Sequence, residues 1–496
     1  MRLVDLIEPL AEKRLVGGDA EIRGMAYDSR AVHPSELFVA IRGGTFDGHI
    51  FVADAIGRGA AAVVAEQDVR AAVPVVVVPS SRAALAALAA EFYDYPSRRM
   101  VLVGVTGTNG KTTTTHLVQS IFRAAGRKAG LIGTLGARIG GELIETHHTT
   151  PESSDLQQIL ARMAGEGVQA VAMEVSSHGL VQGRTAFCEF DCGVFTNLTQ
   201  DHLDFHRTLD EYLAAKLILF RDYPERSDKR FVAAVNLDDP AAGAVIEAAR
   251  GDVITFGMNG RADVVGSEVK VGASGVSLVI TYRGRSERAK APVGGHFNAY
   301  NCLAAAAACL GLGTGLDAVV KGLAATPRVP GRFESIDCGQ AFGVLVDYAH
   351  TPDGLENVLK TTRELTRNRL IVVFGCGGNR DRGKRPIMGR IASELADTAI
   401  ITSDNPRKED PNAIIRDILE GVPLDARPEV VADRRQAIER AVMQAAEGDL
   451  VVIAGKGHED YQIFADRTIH FDDREVAREV LRDRERRDRG EVTGGR

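Results

Sequence analysis

At 496 residues the chain has room for about three domains, and its 45% apolar content can fill several separate cores. A formal charge of −7 and a pI near 6.0 argue against a nucleic-acid binder, whose domains are usually basic. Six cysteines form no CxxC pair, the N-terminus carries no signal pattern, and no run of about 18 apolar residues occurs; a cytoplasmic protein without membrane insertion is expected.

Residues 1–98 read as a small α/β unit. Short apolar strands are predicted at Leu37–Ile41, Ala61–Ala65 and Val75–Val78, a helix over Ser81–Phe92, and a linker at Tyr95-Pro96-Ser97. Tyr27-Asp28-Ser29-Arg30 follows the strand-like Ile22–Ala26; such residues can touch a ligand, but alone they also suit plain turn chemistry.

Residues 99–328 form the second expected unit. The apolar run Val101-Leu102-Val103 leads into Gly104-Val105-Thr106-Gly107-Thr108-Asn109-Gly110-Lys111-Thr112, followed by a helical pattern through Phe122. Strand, glycine-rich turn and helix give the GxxxxGK[ST] spacing its meaning as a phosphate-binding loop. Backbone N–H groups and the helix N-terminus face phosphate oxygens, Lys111 reaches the β- and γ-phosphates, and the Thr112 hydroxyl suits Mg²⁺. Two further apolar strands end in polar clusters, Val168–Met173 before Glu174-Val175-Ser176-Ser177-His178, and Cys192–Phe195 before Thr196–Asp204. Ligands of open α/β sheets sit at such strand ends. Glu174 suits a Mg²⁺ ion directly or through water, whereas His202 offers an imidazole that Mg²⁺ does not prefer and reads equally as a loop histidine. Ala299–Gly313 reads as a core helix.

Residues 329–496 again alternate strand and helix, with strands at Val344–Asp347, Leu370–Phe374, Ala399–Thr402, Glu429–Ala432 and Leu450–Ala454. That alternation predicts a third, doubly wound domain. Its loops Gly375–Arg382, Ser403–Arg407 and Gly455–Glu459 are rich in charge and glycine, although the GxGG run is a weak dinucleotide signal. The charged tail from Arg482 reads as ending in a solvated, frayed extension. The expected fold is therefore α/β: an N-terminal α/β substrate domain, a central P-loop ATPase domain and a C-terminal Rossmann-like domain.

Taken together, Thr106–Thr113, Glu174-Val175-Ser176-Ser177-His178-Gly179-Leu180, Asn197–His202, Asp347-Tyr348-Ala349-His350-Thr351-Pro352 and Asp404-Asn405-Pro406-Arg407 resemble the Mur ligases of bacterial peptidoglycan synthesis. The likeness covers all three units and is closest to the members that add diaminopimelate. It implies a monomeric enzyme acting on ATP, a UDP-muramoyl dipeptide and meso-diaminopimelate: ATP phosphorylates a carboxylate, and an amine attacks the acyl phosphate to give an amide.

The same resemblance assigns residues. Gly107, Thr108, Asn109, Gly110, Lys111, Thr112, Thr113, Asn298, Asn301, Arg332, Asp347 and His350 would bind ATP, the last three reaching over from a third domain that closes onto the second. Two Mg²⁺ ions would use Thr112, Glu174, His202 and Lys216, the lysine as a CO₂-derived carbamate; on its own Lys216 reads as a solvated helix residue. Lys111, Glu174, His202 and Lys216 would be the catalytic set. Tyr27, Ser29, Thr149, Thr150, Ser176, Gln182 and Arg184 would hold the UDP-muramoyl substrate. Tyr27 stands where an aliphatic residue is expected, and the turn at His148–Pro151 also suits simple helix capping. Arg380, Asp404, Asn405, Pro406, Arg407, Gly455 and Glu459 would hold diaminopimelate. Arg407 could grip its extra carboxylate through two parallel bonds, though alone it reads equally as a surface ion pair. Folylpolyglutamate synthetases and other Mur ligases are the nearest rivals. A regulatory GTPase is disfavoured by the lack of an NKxD pattern, and a noncatalytic UDP-sugar module leaves the phosphate loop unexplained.

Overall fold

The computed structural model describes residues 1–43, 47–272 and 275–489. Among these residues the strands assemble into three large sheets and a two-stranded hairpin, Tyr461–Ile463 with Thr468–His470. The first sheet runs Arg14–Val16, Val75–Val77, Ala62–Ala65, Glu36–Val39, Gly24–Ala26, and only its Arg14–Val16 edge is antiparallel. Ser80 caps the helix Ser81–Phe92 by accepting from the Ala83 N–H, and the chain leaves through a left-handed Tyr95 and the turn Pro96–Arg99.

The second sheet has eleven strands. Seven run parallel in the order Val264–Val271, Asp252–Gly257, Val232–Asn236, Cys192–Phe195, Val101–Thr106, Ala170–Glu174, Ala129–Gly133. Antiparallel strands extend both edges: Val276–Tyr282 and Arg285–Ala291 on one, Gly136–Ile139 and Glu142–Ile144 on the other. Val101–Thr106 lies between Cys192–Phe195 and Ala170–Glu174, so the three polar strand ends open on one crevice. The helix Lys111–Ala124 is fixed by its apolar face. Leu117, Val118, Ile121 and Phe122 are wholly buried, each such side chain contributing about 1.5–3 kcal/mol. The helix Phe297–Gly311 packs beside it and is buried nearly all round, the property its unbroken small and apolar run requires.

The third sheet runs Glu334–Ser335, Gly343–Asp347, Leu450–Ala454, Leu370–Phe374, Thr398–Ile401, Glu429–Val430, with only the first strand antiparallel. Separate apolar clusters cover its two faces, which is why Leu450–Ala454 and Leu370–Phe374 read as continuous apolar runs. The six cysteines are free, and all but Cys338 are buried. Arg482 continues the helix Asp473–Asp488, while the end of the tail, residues 490–496, lies outside the described residues. No helix among the described residues is long and apolar enough to cross a membrane.

Candidate functional site

The turn after Val101–Thr106 is held by the loop after Cys192–Phe195. Asn197 accepts from the Thr108 N–H through its backbone carbonyl and from the Asn109 N–H through Oδ1, both at 2.9 Å. Thr196 Oγ1 donates to the Asn109 carbonyl at 2.7 Å. That proximity explains Gly107: its φ is 147°, and a Cβ there would stand 1.9 Å from Thr196 Oγ1. Lys111 curls back onto its own loop, Nζ donating to the Gly107 and Thr108 carbonyls at 2.9 and 2.8 Å. Burial lowers its pKa, against the opposing pull of Glu174 and Asp201. Thr113 is buried beneath the turn. Asn301 lines the cavity beside Gly110, whereas Asn298 is wholly buried behind it. Asn298 donates to the Gly294 carbonyl and accepts from Asn301 Nδ2 at 2.6 Å, so it meets the site through Asn301.

The four residues expected to hold Mg²⁺, Thr112, Glu174, His202 and Lys216, line one cavity. Glu174 is 1% exposed and its carboxylate accepts from the Thr134 N–H at 2.9 Å and hydroxyl at 3.1 Å. His202 sits in a left-handed conformation, φ 55°, a strained setting for this residue that orients its ring beside Asp201, Nε2 to Oδ2 3.3 Å. Burial keeps that imidazole neutral well below its usual range. Lys216 is not the solvated lysine its helix position suggests. It is 1% exposed, lies 4.0 Å from the Tyr212 ring centroid, and has no ion-pair partner among the described residues. Burial, reinforced by Lys111, drives its pKa well below the ordinary lysine value. No group of three or more His, Cys, Asp or Glu closes a metal cage among the described residues. Thr112 and Glu174 give hard oxygen donors, His202 a nitrogen, and Lys216 in its ammonium form none. The set suits Mg²⁺ that takes further oxygens from phosphate, rather than an all-protein site.

Residues on and beside the third sheet complete the crevice in this structure. Arg332 Nη2 donates to Thr112 Oγ1 at 2.9 Å, with the guanidinium 4.4 Å from the Tyr348 ring centroid. Arg332 Nε is buried with no protein partner among the described residues, a donor suited to a phosphate oxygen. Asn109 Nδ2 donates to Asp353 Oδ2 at 2.6 Å. Asp347 is turned inward, its carboxylate accepting from the N–H groups of Phe333 and Ala349 at 2.6 and 2.8 Å. His350 is oriented by the Tyr348 carbonyl, 2.8 Å from Nδ1, and burial holds its pKa down at about 4. The linker is wedged against the Gly455–Glu459 loop: a Cβ on Gly331 would meet the His458 nitrogen at 2.1 Å, and one on Gly457 the Gly331 carbonyl at 2.6 Å. The resulting cavity of about 610 Å³ joins Lys111, Glu174, Ser176 and Lys216 on one wall to Arg332 and His350 on the other.

The residues expected at the UDP-muramoyl substrate form a second group. Thr150 Oγ1 donates to the Glu174 carbonyl at 3.0 Å and accepts from the Ser176 N–H at 2.9 Å; Arg184 Nη1 donates to the Thr150 carbonyl at 3.0 Å. Thr149 Oγ1 lies 3.1 Å from the Thr134 hydroxyl, and Gln182 Oε1 is buried without a partner among the described residues. The helix Ser153–Gly165 takes no side-chain cap from the preceding turn, so capping does not account for Thr149 and Thr150. From the first sheet, Ser29 is buried, and Asp28 shows the turn chemistry expected of it, accepting from the Arg30 N–H at 2.9 Å. Tyr27 departs furthest from expectation. Its hydroxyl donates to Asp155 Oδ2 at 2.7 Å, and together with Arg82 on Glu152, at 2.9 Å to both oxygens, it ties the first unit to the second.

The third group lies outside the large cavity, where the strands Leu370–Phe374, Thr398–Ile401 and Leu450–Ala454 end. Asn405 Nδ2 donates to Glu459 Oε2 at 2.7 Å, and the wholly buried Lys456 reaches Asn405 Oδ1 at 3.3 Å and Glu459 Oε2 at 3.2 Å. Arg407 is left-handed at φ 53°, with Nη1 pinned by the Gly378 carbonyl at 3.0 Å and the Asn405 carbonyl at 3.4 Å. It is therefore aimed by backbone, not spent on a surface ion pair. The Pro406 carbonyl abuts Gly378, where a Cβ would come within 1.9 Å, and Gly455 at φ 114° admits Asp404 beside it. Arg380 is exposed, with no ion pair among the described residues. Burial pushes Asp404 up, but Lys456 and Arg434 outweigh it and hold its carboxyl below the usual range. Burial first, then the charge of Asp404, raises Glu459. Arg434 pairs with Asp473, and Lys456 pairs with Glu459 while also stabilising the Asp404 carboxylate. Asp404 and Glu459 offer carboxylates to an incoming ammonium, while Arg407 suits an anion.

Sequence reasoning missed Thr134, Tyr212, Asp353, Lys456 and Arg434. Thr134 follows the end of the strand Ala129–Gly133, and Lys456 lies inside a loop already singled out, so position alone could have flagged both.

Three family descriptions match the chain: "Mur ligase family, catalytic domain" over residues 21–93, "Mur ligase middle domain" over 105–309 and "Mur ligase, glutamate ligase domain" over 331–457. The chain is 48% identical to the UDP-N-acetylmuramoyl-L-alanyl-D-glutamate–2,6-diaminopimelate ligase of Geobacillus thermodenitrificans (strain NG80-2), over 94% of this chain and 96% of that one. It is also 48% identical to the ligase of the same name from Syntrophomonas wolfei, over 97% and 99%. A solved structure of a ligase of this name superposes with a TM-score of 0.65 at 35% identity, covering 94% of this chain and 95% of that one. The ADP complex of a MurF ligase from Thermotoga maritima, 19% identical, shares the fold with a TM-score of 0.69 over 94% and 98%. With a phosphate loop, a buried carboxylate and a third sheet closing over both, the chain belongs to the Mur ligase family.

Proposed function

We propose that this protein joins an amino group of meso-2,6-diaminopimelate to a carboxylate of UDP-N-acetylmuramoyl-L-alanyl-D-glutamate, using ATP, for peptidoglycan precursor synthesis. The observation that carries this reading is the arrangement of two sites: one cavity has Lys111 and Arg332 on facing walls, and beside it lies a buried cluster of Asp404, Lys456 and Glu459 with Arg407 at its edge. Relatives of nearly equal length, 48% identical, bear the name of that reaction.

The order of events follows from the residues. The Gly107–Thr113 turn and Arg332 hold the triphosphate, Lys111 exchanging its loop carbonyls for phosphate oxygens. Thr150, Ser176, Gln182 and Arg184 hold the nucleotide substrate, with its carboxylate near Lys111. The γ-phosphoryl group passes to that carboxylate, a transfer that needs positioning and charge neutralisation more than covalent help. Thr112, Glu174, His202 and a carbamylated Lys216 would hold Mg²⁺, which when bound supplies further neutralisation of the phosphate charge. Glu459 and Asp404 receive the distal ammonium and Arg407 the carboxylate of diaminopimelate, directing its free amine at the acyl phosphate. The amide forms as phosphate leaves. L-Lysine lacks the carboxylate that Arg407 would bind, so it is rejected. The test is a ligase assay with ATP, the UDP-muramoyl dipeptide and either amine. ADP release that requires the dipeptide and meso-diaminopimelate, with little product from L-lysine, is expected; equal use of lysine would overturn the specificity, and no product from either the reaction.

A further inference from the structure

The two loops assigned to the amine arise from strands that do not touch. Thr398–Ile401 leads to Asp404–Arg407 and Leu450–Ala454 to Gly455–Glu459, with Leu370–Phe374 between them. Strands two apart are separated by roughly 9–10 Å, so the width of the amine site depends on whatever spans that gap. Within the loops Asn405 reaches Glu459 and Lys456 reaches Asn405, and at the strand ends Arg434 spans the gap. Arg434, first residue of the helix Arg434–Gln444, is wholly buried; its Nη1 donates to the Ser403 carbonyl at 3.3 Å and its Nη2 to the Ala454 carbonyl at 2.9 Å. These carbonyls immediately precede the two loops. The remaining edge of the guanidinium meets Asp473, Nε to Oδ1 at 2.8 Å and Nη2 to Oδ2 at 2.7 Å, and Asp473 is equally buried at the start of the C-terminal helix.

Ordinary stability does not call for this arrangement. A cation at a helix N-terminus opposes the helix dipole, and a fully buried ion pair is often no better than apolar packing. What the planar fork supplies, and an apolar side chain cannot, is a fixed spacing between two backbone carbonyls.

We propose that Arg434, oriented by Asp473, is a positioning residue of the amine site, setting the separation of the Asp404–Arg407 and Gly455–Glu459 loops. The proposal rests on the assignment of those loops to the amine, and two separate readouts keep the ideas distinguishable. The first is kinetic. Arg434→Lys keeps the charge but cannot span both carbonyls, so KM for the amine that the wild type uses should rise about tenfold or more, with KM for ATP and for the UDP-muramoyl dipeptide nearly unchanged. Asp473→Asn should move the same constant in the same direction, and the double variant should add little to the worse single one. A uniform change in all three constants would reduce Arg434 to a structural role. The second readout needs no turnover: amide hydrogen exchange in the full chain should quicken about tenfold in residues 404–407 and 455–459 of either variant, and not across the sheet strands. Unchanged exchange at those loops, or faster exchange throughout the third unit, would overturn the proposal even if the wild type used a different amine. Should Arg434→Lys fail to fold, Asp473→Asn carries both measurements.

Discussion

Arg332 and Thr112 are 220 positions apart in the chain, yet the guanidinium of one donates to the hydroxyl of the other at 2.9 Å. The contact lies at the mouth of the phosphate turn, so the linker before the third sheet borders that turn. Arg332→Lys keeps the charge but loses the planar stack on Tyr348 and the second donor edge. We expect kcat/KM for ATP to fall about 10- to 100-fold, with thermal stability little changed. An unaltered constant would show that the contact is incidental.

Lys216 combines complete burial with the absence of an ion pair among the described residues, an arrangement that favours the neutral amine able to add CO₂. Lys216→Ala should abolish ligation, and a short carboxylic acid should restore part of it. Lys216→Met replaces a buried amine that has no ion pair among the described residues with an apolar side chain, so its melting temperature should not fall below that of the wild type. Wild-type turnover by the alanine variant would remove the carbamate from the mechanism.

Glu174→Gln preserves shape and can still accept from Thr134, but it loses the charge facing the cavity. The expected result is a fall in kcat of about 100- to 1,000-fold and a higher Mg²⁺ concentration at half-maximal rate. A chelator should silence the wild type, and added Mg²⁺ should revive it. Full activity in the glutamine variant would mean that the carboxylate only shapes the strand end.

For Arg407 the comparison is between substrates. Arg407→Ala should lower kcat/KM for meso-diaminopimelate by about 100-fold or more and leave KM for ATP within about twofold, as removal of a buried charge-assisted contact predicts. Equal losses for every substrate would point to a misfolded loop.

His116 gives a stability test independent of catalysis. It is 5% exposed, its Nδ1 lies 2.8 Å from the Thr112 carbonyl, and burial lowers its pKa to about 4 from an ordinary 6.5. Below pH 6.5 the unfolded chain takes up a proton that the folded chain refuses until about pH 4, so stability falls as pH drops through that window. The full gap is worth about 3 kcal/mol. Urea unfolding of the nucleotide-free protein at pH 7 and pH 4.5 should show a smaller acid loss for His116→Gln than for the wild type. Identical losses would place the effect elsewhere.

The parallel strands were legible because burial on both faces leaves continuous apolar runs, as in Leu370–Phe374, and because Gly107–Thr112 has a spacing that only one local geometry uses. The antiparallel edge was harder to see. In Arg285–Ala291 charged and small residues alternate beside a wet face, and the signal is spread over a pattern of period two. Site residues in named motifs, Lys216 among them, could be placed by likeness, but the burial of Lys216 could not be read from its neighbours. Nothing in Glu211–Lys216 announces burial, which arises when Tyr212 and the phosphate turn fold over the helix. Arg434 was invisible for the same reason, since its partners are two carbonyls and an aspartate 39 positions away.

The backbone of Gly331 rests directly on that of Gly457, too close for a side chain on either. Arg332 follows the first glycine and the Gly455–Glu459 loop contains the second, so the linker and that loop are packed as one body. Where nucleotide and amine bind as proposed, one movement would open both sites, and a splayed conformer captured with ADP should keep these two glycines touching.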